Sequence, residues 1–111
     1  MDDHPSFRAT ARVLLEAEGF DVVGEAADGA SALTECGRLQ PEVVLLDVQL
    51  PDIDGFAVCQ QITSHVGHPV VIMTSSRDAS DFGPLVTTSG AHGFVPKAEL
   101  SGERVQELLS P

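Results

Sequence analysis

The stretch Val43-Val44-Leu45-Leu46-Asp47-Val48-Gln49-Leu50-Pro51-Asp52-Ile53-Asp54-Gly55 decides the reading of this chain. Four consecutive branched apolar residues predict a strand buried on both faces, as in a parallel sheet, and that strand ends on a carboxylate. Pro51 and the Asp54-Gly55 turn then separate it from an amphipathic segment. In open α/β sheets the ligand crevice lies just outside the carboxyl ends of the strands, so Asp47 stands where chemistry is done. Taken alone, a strand-end Asp would be read as a helix cap. The residues around it carry the further weight.

Outward from this stretch, strand and helix signals alternate, which predicts a parallel sheet wound with helices. Phe7 to Ala17 has apolar residues at helical spacing and closes at Gly19, a natural C-terminal glycine. Phe20 to Gly24 reads as a short strand, and Asp28 as the cap of a helix over Ala30 to Arg38. A helix over Phe56 to Val66, with Val58, Ile62 and Val66 on one face, leads through Gly67-His68-Pro69 to the strand Val70 to Met73. Gly83-Pro84 forbids a continuous helix across Ser75 to Thr88 and predicts a mobile loop with a short helix from Pro84. Ala91 to Pro96 holds a last strand, and Ser101 caps a final helix with Val105, Leu108 and Leu109 turned inward. The expectation is one α/β domain over residues 1–111 with four strands.

A chain of 111 residues with 42% apolar content has room for one core. Its formal net charge of −11 argues against direct binding to nucleic acid or to an anionic membrane, both polyanions. Cys36 and Cys59 have no metal-type spacing and read as reduced thiols rather than a disulfide or zinc site. His4, His65, His68 and His92 lie in separate elements and read as surface residues. With no signal-like or membrane-spanning stretch, the expected location is cytoplasmic.

The Asp47 segment resembles the phosphoacceptor segment of bacterial response-regulator receiver domains: Asp47, Pro51 and Asp54-Gly55 stand where that family has them. The motif style is nearest to receivers of LuxR-type regulators, which Asp2-Asp3-His4-Pro5-Ser6-Phe7-Arg8 also resembles. The resemblance implies a flavodoxin-like, doubly wound parallel sheet and a switch in two-component signalling, not an enzyme acting on other substrates. It implies that Asp47 accepts a phosphoryl group from a sensor histidine kinase or a small phosphodonor. Mg²⁺ would be held by Asp3, Asp47 and the backbone carbonyl of Gln49, with Asp2 acting through water. Lys97 would supply a point charge to one phosphoryl oxygen and the Thr74 hydroxyl would bond another, so that catalysis is positioning plus electrostatics. Thr74 and Phe94 match the switch positions, and a homodimer through the last strand and last two helices is a further implied partner.

Two departures from the family pattern stand out. The order Pro96-Lys97-Ala98 replaces the usual Lys-Pro, and the apolar strand that precedes the acid pair is absent, only Met1 remaining. Loss of that strand, which would sit between Phe20 to Gly24 and Val43 to Leu46, is expected to mark a truncated form. No output domain is expected after Pro111. Two other readings compete: a degenerate receiver kept as a protein-binding module, and a phosphohydrolase of the haloacid-dehalogenase type. The second needs an acid two residues after the nucleophile, where this chain has Gln49.

Overall fold

A computed structural model describes residues 1–110. Three parallel strands, β1 (Val43–Asp47), β2 (Val70–Ser75) and β3 (Gly93–Pro96), lie side by side in that order. Parallel neighbours need crossovers, and helices supply them: α3 (Gly55–Ile62) between β1 and β2, and α4 (Leu85–Thr88) between β2 and β3. Helices α1 (Pro5–Ala17), α2 (Gly29–Leu39) and α5 (Gly102–Leu109) complete the chain.

Side chains alternate across a strand, and here both faces are covered. Val44, Leu46, Val71 and Met73 point to one face with Val58, Cys59 and Ile62 of α3 and Ala32 of α2. Ile72, Val95 and Val105 fill the other, with Leu15, Phe20, Leu108 and Leu109 packed against them. This explains the unbroken apolar run in β1 and β2. Full burial of a Leu, Ile or Met side chain is worth about 1.5–3 kcal/mol, so Leu46, Ile72 and Met73, all completely buried, anchor the centre of the sheet.

The helix ends follow the sequence signals. Pro5 opens α1, where its missing N–H costs nothing. Gly19, at φ +96°, closes it with its own N–H on Glu16 O and that of Phe20 on Leu15 O, both at 3.1 Å. The Asp28 carboxylate accepts from Ser31 N at 2.7 Å to cap α2, and Ser101 Oγ accepts from Arg104 N at 3.0 Å to cap α5.

Two expectations are corrected. Phe20 to Gly24 forms no strand, because a cleft lined by this stretch and by β1 separates the two and a strand needs hydrogen-bonded neighbours. At the far end of the cleft sits Met1. Its amine donates to Leu45 O at 2.7 Å, its carbonyl accepts from Asp47 N at 3.0 Å, and Asp2 N donates to Ala26 O at 3.0 Å. One residue thus pairs with β1 as a strand would.

The helix predicted to reach Val66 stops at Ile62. Thr63 turns its hydroxyl back to Cys59 O at 2.8 Å, and the chain leaves through Gly67 at φ +79°, so Val66 is fully exposed rather than inward. Cys36 and Cys59 are unpaired thiols. No helix among the described residues is long and apolar enough to cross a membrane.

Candidate functional site

Strand register assembles the site. Asp47 pairs with Thr74, Thr74 with Val95 and Ser75 with Pro96, so the three strands end level and Lys97 follows at once, in the helical turn Lys97–Glu99. From there its Nζ reaches Asp2 Oδ2 at 2.6 Å and Asp47 Oδ2 at 3.1 Å. One ammonium therefore bridges two carboxylates that are almost wholly buried. Phe7 of α1 lays its ring 4.5 Å from the same ammonium, a cation–π contact.

The other oxygen of Asp47 is held from its own loop, where Gln49 N donates to Oδ1 at 3.1 Å. Each acid that follows has a structural task. Asp52 accepts from Gly29 N and Ala30 N at 2.7 and 3.0 Å, tying the loop to the start of α2. Asp54 caps α3 by accepting from Phe56 N at 2.7 Å. Gly55 donates its N–H to Val48 O at 2.8 Å, and a Cβ there would collide with the backbone oxygens of Asp47 and Val48. The Asp-Gly pair thus lets the chain fold back against the end of β1.

At the N-terminus the two acids are not equivalent. The Asp2 side chain is buried; its Oδ1 accepts from His4 N at 2.8 Å and faces His4 Nδ1 at 3.0 Å. Asp3 lies nearer the surface, 3.1 Å from the same Nδ1. The acid that meets Asp47 through Lys97 is Asp2, whereas the resemblance put Asp3 nearer the reacting centre.

Burial disfavours the charged form of both buried acids, with opposite outcomes. For Asp2 the Lys97 ammonium and His4 N–H outweigh burial and hold the carboxyl below the usual range. For Asp47 burial prevails, reinforced by the Asp2 charge, and the carboxyl is pushed up despite Gln49 N–H and Lys97. Lys97 loses to burial but gains more from the two carboxylates, so its ammonium is held above the usual range.

One ligand atom each from Asp2, Asp3, His4 and Asp47 lies within 4.8 Å of the others. Three are carboxylate oxygens, the hard donors that suit a cation such as Mg²⁺. Asp2 Oδ2 is fully buried with no hydrogen bond; its contact with Lys97 is an ion pair without hydrogen-bonding geometry. Among the described residues the only partner of that oxygen is a cationic group, and the acidic cluster around it could hold a metal ion.

Thr74 is buried beside Asp47, and its carbonyl accepts from Val48 N at 2.9 Å. The ring of half-buried Phe94 lies tilted against Phe82 at 5.9 Å between centroids, and Phe82 meets Phe56 edge-on at 5.5 Å, so Phe94 belongs to an aromatic row beside α3. The backbone of Gln49 forms an isolated bridge with Asp54, and its side chain is exposed. The sequence reading had not placed Phe7 or His4 in the site. Their only signal is proximity to the acid pair.

The family of response regulator receiver domains matches residues 1–109. This chain belongs to that family. Among relatives of the receiver, the transcription regulator BvgA of Bordetella pertussis is 39% identical over 100 residues, covering 89% of this chain and 47% of that protein. The DNA-binding response regulator MtrA of Mycolicibacterium smegmatis is 39% identical over 87% of this chain and 42% of its own length. The receiver thus spans about half the length of the curated relatives it matches.

Among solved structures, the signal receiver domain of the response regulator NarL from Mycobacterium tuberculosis superposes with a TM-score of 0.87 at 36% identity, over 97% of this chain and 88% of that one. A LuxR-family two-component response regulator from Aurantimonas does so at 0.81 and 30%, over 95% and 76%. The receiver fold and a place in two-component signalling are therefore established. The expectation, from charge, that nucleic acid is no partner finds no support here, since a DNA-binding regulator is among the relatives.

Proposed function

We propose that the receiver accepts a phosphoryl group on Asp47 from a sensor histidine kinase and so switches its contacts with other proteins. The observation that carries this reading is the single ammonium of Lys97 shared between the buried carboxylates of Asp2 and Asp47. Asp47 Oδ2 attacks phosphorus, the bond from phosphorus to the donor breaks, and the donor leaves with the electron pair. Lys97 meets the charge that gathers on the phosphoryl oxygens, and the hydroxyl of Thr74, which pairs with Asp47 in the sheet register, would bond another. Mg²⁺, held by Asp2, Asp47 and Asp3 with the Gln49 carbonyl, would neutralise the charge of the acceptor and the transferring group. Beyond its own phosphorylation and dephosphorylation the domain catalyses nothing.

The switch would run from Thr74 to Phe94 and the loop before α4, and the β3–α4–α5 face would carry a homodimer contact. A second reading, a binding module without phosphorylation, is favoured by one feature: the cleft beside β1 leaves the acid pair on a single paired residue. Incubation with acetyl phosphate and Mg²⁺, followed by mass spectrometry, separates the two. A single phosphate adduct, lost in Asp47→Asn, is expected. A folded protein that takes no phosphate would establish the binding module, and an adduct that survives in Asp47→Asn would show that the acceptor is misassigned.

A further inference from the structure

The first turn of α1 meets both ends of the ion pair on which the site is built. Phe7 and Arg8 are consecutive, and consecutive helical residues project about 100° apart, so one reaches Lys97 and the other Asp2. The Phe7 ring faces the Lys97 ammonium, which lies 4.5 Å from its centroid. Arg8 Nη1 donates to Asp2 O at 2.6 Å, while its Nε donates to Glu25 Oε1 at 3.2 Å. Arg12, one helical turn on, holds the second oxygen of Glu25 at 2.8 Å, and Arg8 N closes the turn on His4 O at 3.1 Å. Exposed ion pairs ordinarily contribute little. This one differs, because the same guanidinium fork takes the main-chain carbonyl of a residue whose carboxylate is buried against Lys97.

We propose that Phe7 and Arg8 are positioning residues of the acceptor site, a clamp in which Phe7 holds the Lys97 ammonium for the phosphoryl oxygens and Arg8 holds Asp2 for the cation. The inference rests on the reading of Asp47 as phosphoacceptor and deepens it. Lys97 has a long, flexible stem and must turn from Asp2 and Asp47 toward the incoming phosphoryl oxygens. An aromatic face suits that movement, since it attracts the charge without fixing the direction of any N–H. Arg8 acts on the backbone instead. Asp2 O accepts from Arg8, Asp2 N donates to Ala26 O at 3.0 Å, and Asp2 Oδ1 accepts from His4 N at 2.8 Å. The carboxylate is thus delivered with little freedom left, and a ligand held in place before the cation arrives loses less entropy on binding it.

The two roles fail differently when removed. Phe7→Leu keeps an apolar side chain but has no aromatic face, so Lys97 is less often in place when charge develops on the phosphoryl group. The rate of phosphate uptake at saturating Mg²⁺ should fall by about threefold or more, whereas Mg²⁺ binding should not weaken, because a loosened ammonium competes less for Asp2. Arg8→Lys keeps the charge but replaces the fork with a single point that cannot serve Asp2 O and Glu25 together. Mg²⁺ affinity should fall by about threefold or more, and saturating Mg²⁺ should bring the rate back. A general loosening of the fold would move both quantities in both variants.

The test compares the parent with Phe7→Leu, Phe7→Tyr and Arg8→Lys. Mg²⁺ affinity is measured by calorimetry, uptake from acetyl phosphate by mass spectrometry, and the side-chain methylene resonances of Lys97 by NMR without metal or phosphate. The ring current of Phe7 should hold those resonances upfield in the parent and in Phe7→Tyr, and Phe7→Leu should release them. Phe7→Tyr, which restores the ring, should recover most of the rate lost in Phe7→Leu. If Phe7→Leu proves unfolded by circular dichroism, Phe7→Met takes its place. Unmoved Lys97 resonances without the ring, equal loss of rate with and without it, or equal Mg²⁺ affinity of the parent and Arg8→Lys, including none in either, would overturn the clamp. A parent that takes up no phosphate would sink the acceptor reading alone, and the resonances and Mg²⁺ affinities would still decide whether the clamp exists.

Discussion

Lys97 is the residue on which the site's electrostatics turn. Removing one partner of a buried charge cluster strands the others, typically at a cost of about 3–5 kcal/mol, and Lys97 faces two buried carboxylates. Lys97→Met, which keeps much of the stem against Phe7, should therefore lower stability by about 2–4 kcal/mol in urea unfolding without divalent cation. Mg²⁺ should restore more of that loss than it adds to the parent. If Mg²⁺ stabilises both proteins equally, the cation does not sit between Asp2 and Asp47. At this scale the sequence was legible for Asp47, Thr74 and Lys97, because each stands at the end of a recognisable strand. It was not legible for the choice between Asp2 and Asp3, since adjacent residues of an extended chain face opposite sides and only the Met1 pairing fixes which acid turns inward.

Among the elements, the turn after β1 is the most tightly determined. Its geometry depends on the absence of a side chain at Gly55, where an added carbon would meet two backbone oxygens that cannot yield without moving Asp47. Gly55→Ala should displace the acceptor loop and lower the rate of phosphate uptake by about tenfold or more, a barrier change of about 1.4 kcal/mol. Rate by mass spectrometry and fold by circular dichroism check this; an unchanged rate would mean that the loop relaxes freely. The helices beginning at Asp28, Asp54 and Ser101 were readable because caps are local. The end of α3 was not, since it depends on Thr63 turning back to Cys59 and Ser89. The stretch 20–24 has strand-forming residues but no hydrogen-bonded neighbour, and pairing is a property of two segments rather than one.

Across the whole molecule, acidic groups outnumber basic ones by 17 to 6, so each cation is worth following. Arg12 and Arg8 of α1 both reach Glu25, at 2.8 and 3.2 Å, and fasten the helix to the outer wall of the cleft. Arg12 first and Arg8 second hold the Glu25 carboxyl below its usual range. A carboxyl depressed in the folded state contributes stability above its unfolded pKa of about 4.3 and loses it as pH falls through the folded value. Glu25 is largely exposed, so the effect stays under about 1 kcal/mol. Glu25→Gln should melt slightly below the parent at pH 7, with the gap closing toward pH 3; a gap that widens on acidification would refute the assignment. The parallel fold was legible from the alternation of elements, while the cleft was visible only as a missing apolar run.

The shared ammonium carries a last consequence. Whatever draws Lys97 toward new negative charge on Asp47 uncovers Asp2 Oδ2, and whatever brings positive charge to Asp2 releases Lys97 toward Asp47. On the proposed reading, a cation at Asp2 and added negative charge at Asp47 would both act through Lys97. By thermodynamic reciprocity, whatever factor one would change the other's affinity by, the other would change the first's by the same factor.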